Sequence, residues 1–248
     1  MFIFTLDKGS SQLKNLILRN FLAKSISQLD SIKLLNSSFQ LYDCYILYRA
    51  MVDRLAHIYY LERTNSYEDF DNWSFIKQME ANNNGLSDES FNERIDKKFF
   101  TPSNADRIRY KTLKKQGVNW SRPDIQKEFK EKGFYFLYKF GYDYASSHVH
   151  PMANDGMIEY YRMTQNPPES VVNHFNYQTD LIIDNSSLIA SMIARECLNY
   201  STFKWRKICF DFIDSFMQKK DENSLHASYL KLKYFIDNDL EIGELTGH

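Results

Sequence analysis

Glycine, proline and cysteine are all scarce in this chain of 248 residues. It has 8 Gly and 5 Pro, too few for the many turns of an all-β protein or for glycine-rich phosphate-binding loops. Its 3 cysteines, Cys44, Cys197 and Cys209, are odd in number and far apart, which fits neither a disulfide framework nor a zinc site built from CxxC pairs. We therefore expect free, buried thiols and a reducing, cytoplasmic location.

Long apolar runs and an excess of either charge are also missing. No run approaches the roughly 18 apolar residues of a membrane-spanning helix, and the N-terminus does not resemble a signal peptide, so we expect no contact with a membrane. The chain has 31 basic and 32 acidic residues, without the overall basic excess typical of nucleic-acid-binding proteins. Residues 93–132 are locally basic, with 12 Lys or Arg against 6 Asp or Glu. This stretch is typical of a solvated helical face, or alternatively of a surface that binds RNA, a nucleotide or another anionic partner.

Aromatic residues, in contrast, are abundant. The 17 Tyr, 19 Phe and 3 Trp predict a large interior that is partly polar, because a buried tyrosine hydroxyl needs a partner. Apolar residues recur at helical spacing along most of the chain, and the segment 39–63 is apolar nearly all round, as in a central helix. The sequence predicts an all-α fold, a multi-helix bundle of about eight to ten helices.

The middle of the chain differs from the rest in segment length and in charge. Residues 64–120 contain shorter, more charged segments around an expected loop at 82–85, so we interpret them as a helical insertion within a single helical domain spanning 1–248. The acidic tail, 237–248, is expected to be flexible. Further on, a predicted helix from 134 to about 147 carries Gly141 and Ala145, small residues that would let another helix approach closely.

Three polar residues share one face of the predicted central helix. Arg49, Asp53 and His57 are spaced four apart, so their side chains line up. A buried Arg or Asp costs several kcal/mol unless it is paired, and Arg49 and Asp53 are well placed to pair with each other. The group is either a structural ion pair between helices or a polar pocket of the kind in which helical bundles build their sites.

A second polar group ends the helix that precedes Pro151. It contains Tyr144, Ser147, His148 and His150. Two histidines two residues apart do not share a helix face, and no cysteine is near, so we expect neither a metal site nor a cofactor here. The histidines either cap the end of the helix or supply a general acid or base.

These residues together resemble an uncharacterised prokaryotic all-helical family. The resemblance rests on Arg49 and Asp53, on Trp120 after the insertion, and on the motif Tyr-x-x-Ser-x-Val-His-Pro at 144–151, and it covers residues 35–165. Members usually carry Glu near the Arg, so Asp53 departs from the pattern. Since the family has no established reaction, the resemblance implies a fold and not an activity.

A more distant similarity is to the HEPN superfamily. These helical proteins are common in toxin–antitoxin and antiviral systems, and many are metal-independent ribonucleases. Their motif has four to six residues between an Arg and a following His, and it is absent from this sequence: the gap from Arg49 to His57 is too long and the gap from Arg54 to His57 too short.

Two functions stay open at this stage. The chain could be an effector of a prokaryotic defence or toxin system that acts on RNA or a nucleotide. In that case His150 is the general acid or base, Arg49 stabilises a phosphate, Asp53 and Tyr144 orient them, and Ser147 completes the cluster. The alternative is a non-catalytic interaction protein, in which these residues form a buried polar network and the aromatic surface binds a partner chain or a second copy.

Overall fold

A computed structural model describes residues 13–38, 40–88, 90, 94, 101–150, 153, 156–164, 167–201, 206–218 and 221–238. Throughout these ranges the regular structure is helical and no strand occurs, which confirms the predicted all-α multi-helix bundle. The chain divides into two compact units. One joins the residues up to Tyr60 with those from Pro123 onward, and the other is Leu61–Arg122.

Ten α-helices and one π-helix follow one another along the described chain. They are α1 (Leu13–Ser37), α2 (Leu41–Thr64), α3 (Tyr67–Ser87), α4 (Asn104–Gln116), α5 (Ile125–Glu131), α6 (Tyr135–Leu137), the π-helix (Tyr138–Tyr144), α7 (Met157–Thr164), α8 (Glu169–Tyr200), α9 (Arg206–Met217) and α10 (Glu222–Asp237). In the first unit α8 packs along α1 and against α9, which in turn packs against α10.

The central position expected for segment 39–63 is confirmed by α2. Eleven of its apolar side chains are at most 2% exposed, as expected for a helix without a polar face. Polar groups tie it to α1: Cys44 Sγ lies 3.5 Å from the carbonyl oxygen of Ile32. Arg54 donates to Ser25 Oγ at 3.0 Å and to Gln28 Oε1 at 2.6 Å. Arg54 therefore serves the packing of these two helices.

In the second unit, α4 lies against α3. It lies within residues 64–120, which the sequence predicts to be helical, and its ends are well defined. Ser103 and Asp106 form a capping box at the start, and Gly117 ends the helix in the left-handed region at φ 68°, where glycine pays no Cβ penalty. The loop expected at 82–85 is wrong, because α3 continues through it to Ser87. Asn and Gly each lower helix propensity by only about 1 kcal/mol or less relative to alanine, which does not end the helix here.

The helix predicted from 134 to 147 is built differently from a regular α-helix. A single α-helical turn, α6, leads directly into the π-helix, a rare geometry that occurs often at functional sites. Gly141 is buried on the π-helix, where a Cβ atom would lie 2.6 Å from Val52 Cγ2 and 3.1 Å from Tyr48 Oη. The close approach expected from Gly141 and Ala145 is thus confirmed, with α2 as the neighbour.

The acidic tail predicted at 237–248 lies outside the described residues except for its first two positions. The same holds for most of the segment 88–99 within the predicted insertion.

The three cysteines are free and buried, which leads to a prediction about pH. Burial raises the pKa of Cys44 and of Cys209 from 9.0 to about 12, so these thiols stay protonated in the folded chain. Between pH 9.0 and about pH 12 the unfolded chain loses thiol protons that the folded chain keeps. The contribution of the buried thiols to stability should therefore be complete below about pH 9. Above that pH the free energy of unfolding should fall, as measured by urea unfolding at several pH values.

The same burial should make the native thiols unreactive. At neutral pH a thiol reagent is expected to modify all three only after denaturation. Rapid modification of the native chain would contradict the described burial of these side chains.

Candidate functional site

Arg49 lies on α2 with its guanidinium against the π-helix. Its Cζ atom is 4.6 Å from the centre of the Tyr142 ring, and Nη2 donates to Tyr142 Oη at 3.2 Å. The Nε atom is buried and has no hydrogen-bond acceptor among the described residues. No Asp or Glu among the described residues forms an ion pair with Arg49. Arg49 therefore holds a half-buried positive charge that the described part of the chain leaves unneutralised.

The expected Arg49–Asp53 pair is wrong. Asp53 Oδ1 instead lies 3.3 Å from His57 Nδ1, which is also 2.8 Å from the Asp53 carbonyl oxygen. The physical reason is the π-helix, because Tyr142 offers both a ring face and a hydroxyl to the guanidinium. Arg49 and Asp53 lie on the same helix, but Arg49 contacts Tyr142 and Asp53 contacts His57.

His148 is the centre of an aromatic cluster. Its imidazole is nearly parallel to the Tyr42 ring at 4.6 Å and to the Tyr45 ring at 5.0 Å, and it meets the edge of Tyr144 at 5.1 Å. Tyr45 and Arg49 are one helical turn apart, so the cluster and the guanidinium occupy neighbouring positions on one face of α2. The sequence singled out His150, and the structure places His148 in the stack.

Tyr45 also connects this cluster to the long helix α8. Its ring is fully buried, and its hydroxyl donates to Gln178 Oε1. Burial raises the pKa of Tyr45 well above its usual value, which keeps the hydroxyl protonated as a donor. Gln178 was missed by sequence reasoning because a single polar residue on an amphipathic helix carries no distinguishing pattern.

The remaining predicted site residues lie at the end of the π-helix. Ser147 Oγ donates to the Tyr144 carbonyl oxygen at 2.7 Å, and the amide of His148 donates to the carbonyl of Ala145 at 3.2 Å. These bonds fix the turn up to the residue before His150. His150 itself is exposed and makes no hydrogen bond or ring contact with any described residue. Tyr144 is 38% exposed, and burial of the rest of its ring raises its pKa.

Next to Arg49, a second buried polar group lacks a partner. The Tyr48 hydroxyl is buried and has no hydrogen-bond partner among the described residues, and burial raises the pKa of Tyr48. A buried polar group without a partner is uncommon and costs about 1–3 kcal/mol. Two such groups on adjacent residues mark this part of α2 as a place where fold stability alone does not explain the sequence.

Among the described residues, no group of three His, Cys, Asp or Glu side chains is arranged to hold a metal ion. None of the helices that the structure describes is long and apolar enough to cross a membrane.

Comparison with known proteins identifies the family. No curated protein and no solved structure matches the chain. A model of a family of unknown function, DUF5677, matches residues 15–167, more than half of the chain. All five predicted site residues lie in the matched range, and the resemblance to an uncharacterised family is confirmed. The chain therefore belongs to DUF5677, a family whose function is unknown.

Proposed function

We propose that this protein is an enzyme that binds and cleaves RNA by metal-independent acid–base chemistry. The observation that carries the proposal is the charge of Arg49, which no described carboxylate neutralises and whose Nε donor has no described acceptor. A guanidinium in this state favours an anion, and a phosphodiester supplies both the charge and the oxygen acceptors it lacks.

An exposed ring in the aromatic cluster, which occupies the position on α2 next to Arg49, supports a nucleic-acid ligand. Tyr144 is 38% exposed and packs one ring face against Phe140 at 5.6 Å. Unstacked RNA bases bind by stacking on such rings, which contributes about 1–3 kcal/mol for each base. In the proposed complex Arg49 binds the phosphate and Tyr144 contacts a neighbouring base.

His150 is the proposed catalytic residue. Its imidazole is exposed and not engaged by any described residue, and a histidine can accept a proton near neutral pH. It takes the proton of the ribose 2′-hydroxyl, and the 2′-oxygen attacks phosphorus. The bond to the 5′-oxygen breaks, and that oxygen takes up a proton from solvent. The products are a 2′,3′-cyclic phosphate and a 5′-hydroxyl end, so DNA is not a substrate.

The other residues of the cluster act through position. His148 holds the turn that carries His150 by stacking on Tyr42 and Tyr45, and Ser147 closes the same turn. Asp53 contacts His57, so we assign it no direct step.

Such an activity suits an effector of a prokaryotic defence or toxin system, because cleavage of cellular RNA arrests growth. A cytoplasmic location is part of the same proposal. The three free cysteines are consistent with a reducing compartment, and the substrate is found there.

The two histidines provide a matched pair of variants. His150→Ala should lower the RNA cleavage rate about 10²–10⁴-fold, the usual contribution of a general acid or base, and leave the melting temperature unchanged. His148→Phe keeps a flat ring on Tyr42 and Tyr45 and should retain most of the rate. The measurement is cleavage of labelled RNA in EDTA by the purified full-length chain, with product ends identified by mass spectrometry.

The opposite ranking of the two variants would contradict the role given to His150. If the wild-type chain leaves RNA intact and His150→Ala lowers the melting temperature, the cluster is a structural network. The non-catalytic interaction protein is then the better account.

A further inference from the structure

The second unit carries a set of cations that the proposed cleavage site does not use. Helix α4, Asn104–Gln116, contains five basic residues and a single acidic one. Two of the five are neutralised by α3. Arg109 Nη2 lies 2.6 Å from Asp71 Oδ2, and Lys114 Nζ lies 2.5 Å from Glu80 Oε1. These two ion pairs hold α4 against α3.

The other three cations lie on the side of α4 opposite Arg109 and the buried Leu113. Arg107, Lys111 and Lys115 are exposed, and none of their side chains makes a hydrogen bond, ion pair or ring contact with a described residue. Their spacing of four residues places them on one face of α4. Successive cations are separated by about 6 Å along the helix axis, a distance of the same order as that between neighbouring phosphates along a nucleic-acid strand.

The fold presents these cations on a fixed support. The capping box at Ser103 and the left-handed Gly117 define both ends of α4, and buried Leu113 anchors its other face. Because both ends of α4 are capped, the cations keep a fixed spacing. Binding several phosphates then requires little loss of conformational entropy in the protein backbone.

We propose that Arg107, Lys111 and Lys115 form an RNA-backbone-binding face, the α4 cationic face. This inference rests on the proposed function and deepens it, because it names a second surface that binds the RNA backbone. The α4 cationic face binds three successive phosphates by charge, without reading the base sequence. An acidic protein is the less favoured partner, because the regular spacing of the three cations matches the repeating charge of a phosphate backbone better than an irregular set of carboxylates.

The test compares two triple variants of the full-length chain. One is Arg107→Gln, Lys111→Gln and Lys115→Gln. The control is Lys207→Gln, Lys231→Gln and Lys233→Gln, which removes three exposed cations of the first unit that no described residue engages. Equal melting temperatures would show that both fold. Binding of a fluorescein-labelled single-stranded RNA of mixed sequence is measured by anisotropy at several salt concentrations, with a labelled poly-glutamate peptide as a second probe.

The α4 variant should bind RNA more weakly than wild type, and its salt dependence should be smaller. Each phosphate that the variant no longer neutralises lowers the slope of log affinity against log salt by about 0.7, so three phosphates lower it by about 2. A roughly fourfold rise in salt should then shrink the affinity advantage of wild type about twentyfold. The control should follow wild type. Equal RNA binding by both triple variants, or a weakening confined to the poly-glutamate probe, would overturn the proposal.

Failure here is distinguishable from failure of the cleavage site. If the α4 variant loses RNA binding but no protein cleaves RNA, the α4 cationic face stands and the assignment of Arg49 and His150 falls. If cleavage depends on Arg49 while both triple variants bind RNA equally, the cleavage site stands and the α4 cationic face falls.

Discussion

Gly141→Ala is expected to destabilise the protein by about 1–3 kcal/mol, although alanine is the better helix former. The added Cβ would lie 2.6 Å from Val52 Cγ2 and 3.1 Å from Tyr48 Oη, so α2 and the π-helix must move apart. The gain in helix propensity, about 0.5–1 kcal/mol, is smaller than the usual cost of overpacking a core. Urea unfolding measures the difference directly.

Val52→Ala supplies the control for this prediction. Removing the Val52 methyl groups removes the nearest obstacle to the new Cβ, so Gly141→Ala should cost much less in the Val52→Ala background. The double-mutant cycle should give a coupling energy of about 0.5–3 kcal/mol, the range for residues in contact. An equal cost in both backgrounds would mean that Gly141 does not set the distance between the two helices.

Arg49→Gln is expected to lower activity strongly while leaving the fold intact. Removing a cation that faces the charge developing on a phosphate should lower kcat/KM for RNA about 10²–10³-fold. Stability should change by no more than about 1 kcal/mol. The variant no longer stacks on Tyr142 or donates to its hydroxyl, but it also removes the Nε donor that has no described acceptor. Initial cleavage rates give the change in kcat/KM, and urea unfolding gives the change in stability.

Arg54→Gln is the matched control on the same helix. Arg54 donates to Ser25 and Gln28, both of which are buried. Its replacement leaves their oxygens without this donor and should cost about 1–3 kcal/mol of stability with little effect on the rate per folded molecule. Replacing Arg49 should thus lower the rate, whereas replacing Arg54 should lower the stability. A similar fall in rate in both variants would indicate that Arg49 acts only through the fold.

Local patterns predicted much of the helical framework. The position of α2 follows from a segment that is apolar on every side. The capping box and the terminal glycine of α4 are likewise local signals that the sequence contains. The close approach at Gly141 was also predictable, because a glycine and an alanine four residues apart on one stripe leave room for a neighbouring helix.

The details that depend on partner helices were not predictable. Nothing in the sequence of the π-helix distinguishes it from a regular α-helix, because its geometry is coupled to packing against Val52 and Tyr48. The choice of Tyr142 over Asp53 as the contact of Arg49 likewise depends on where the π-helix places its rings. Helical spacing indicated which residues share a face of α2 and could not indicate what lies opposite.

The histidines illustrate the same limit. The sequence singled out His150 through its place in the Val-His-Pro motif, and it could not indicate where the ring of His148 or of His150 lies. The stacking of His148 on Tyr42 and Tyr45 and the exposure of His150 are tertiary facts. Only these contacts suggest that one ring positions the turn and the other is accessible to a substrate.

Whether Arg49 marks a site where RNA is bound and cleaved can be tested directly. Wild type and Arg49→Gln are incubated in EDTA with the same labelled RNA and with a 2′-O-methylated copy that lacks the attacking hydroxyl. We predict 2′,3′-cyclic phosphate products from wild type with the unmodified RNA alone, and a rate about 10²–10³-fold lower from the folded variant. Intact RNA with wild type, or equal cleavage by folded Arg49→Gln, would contradict the account.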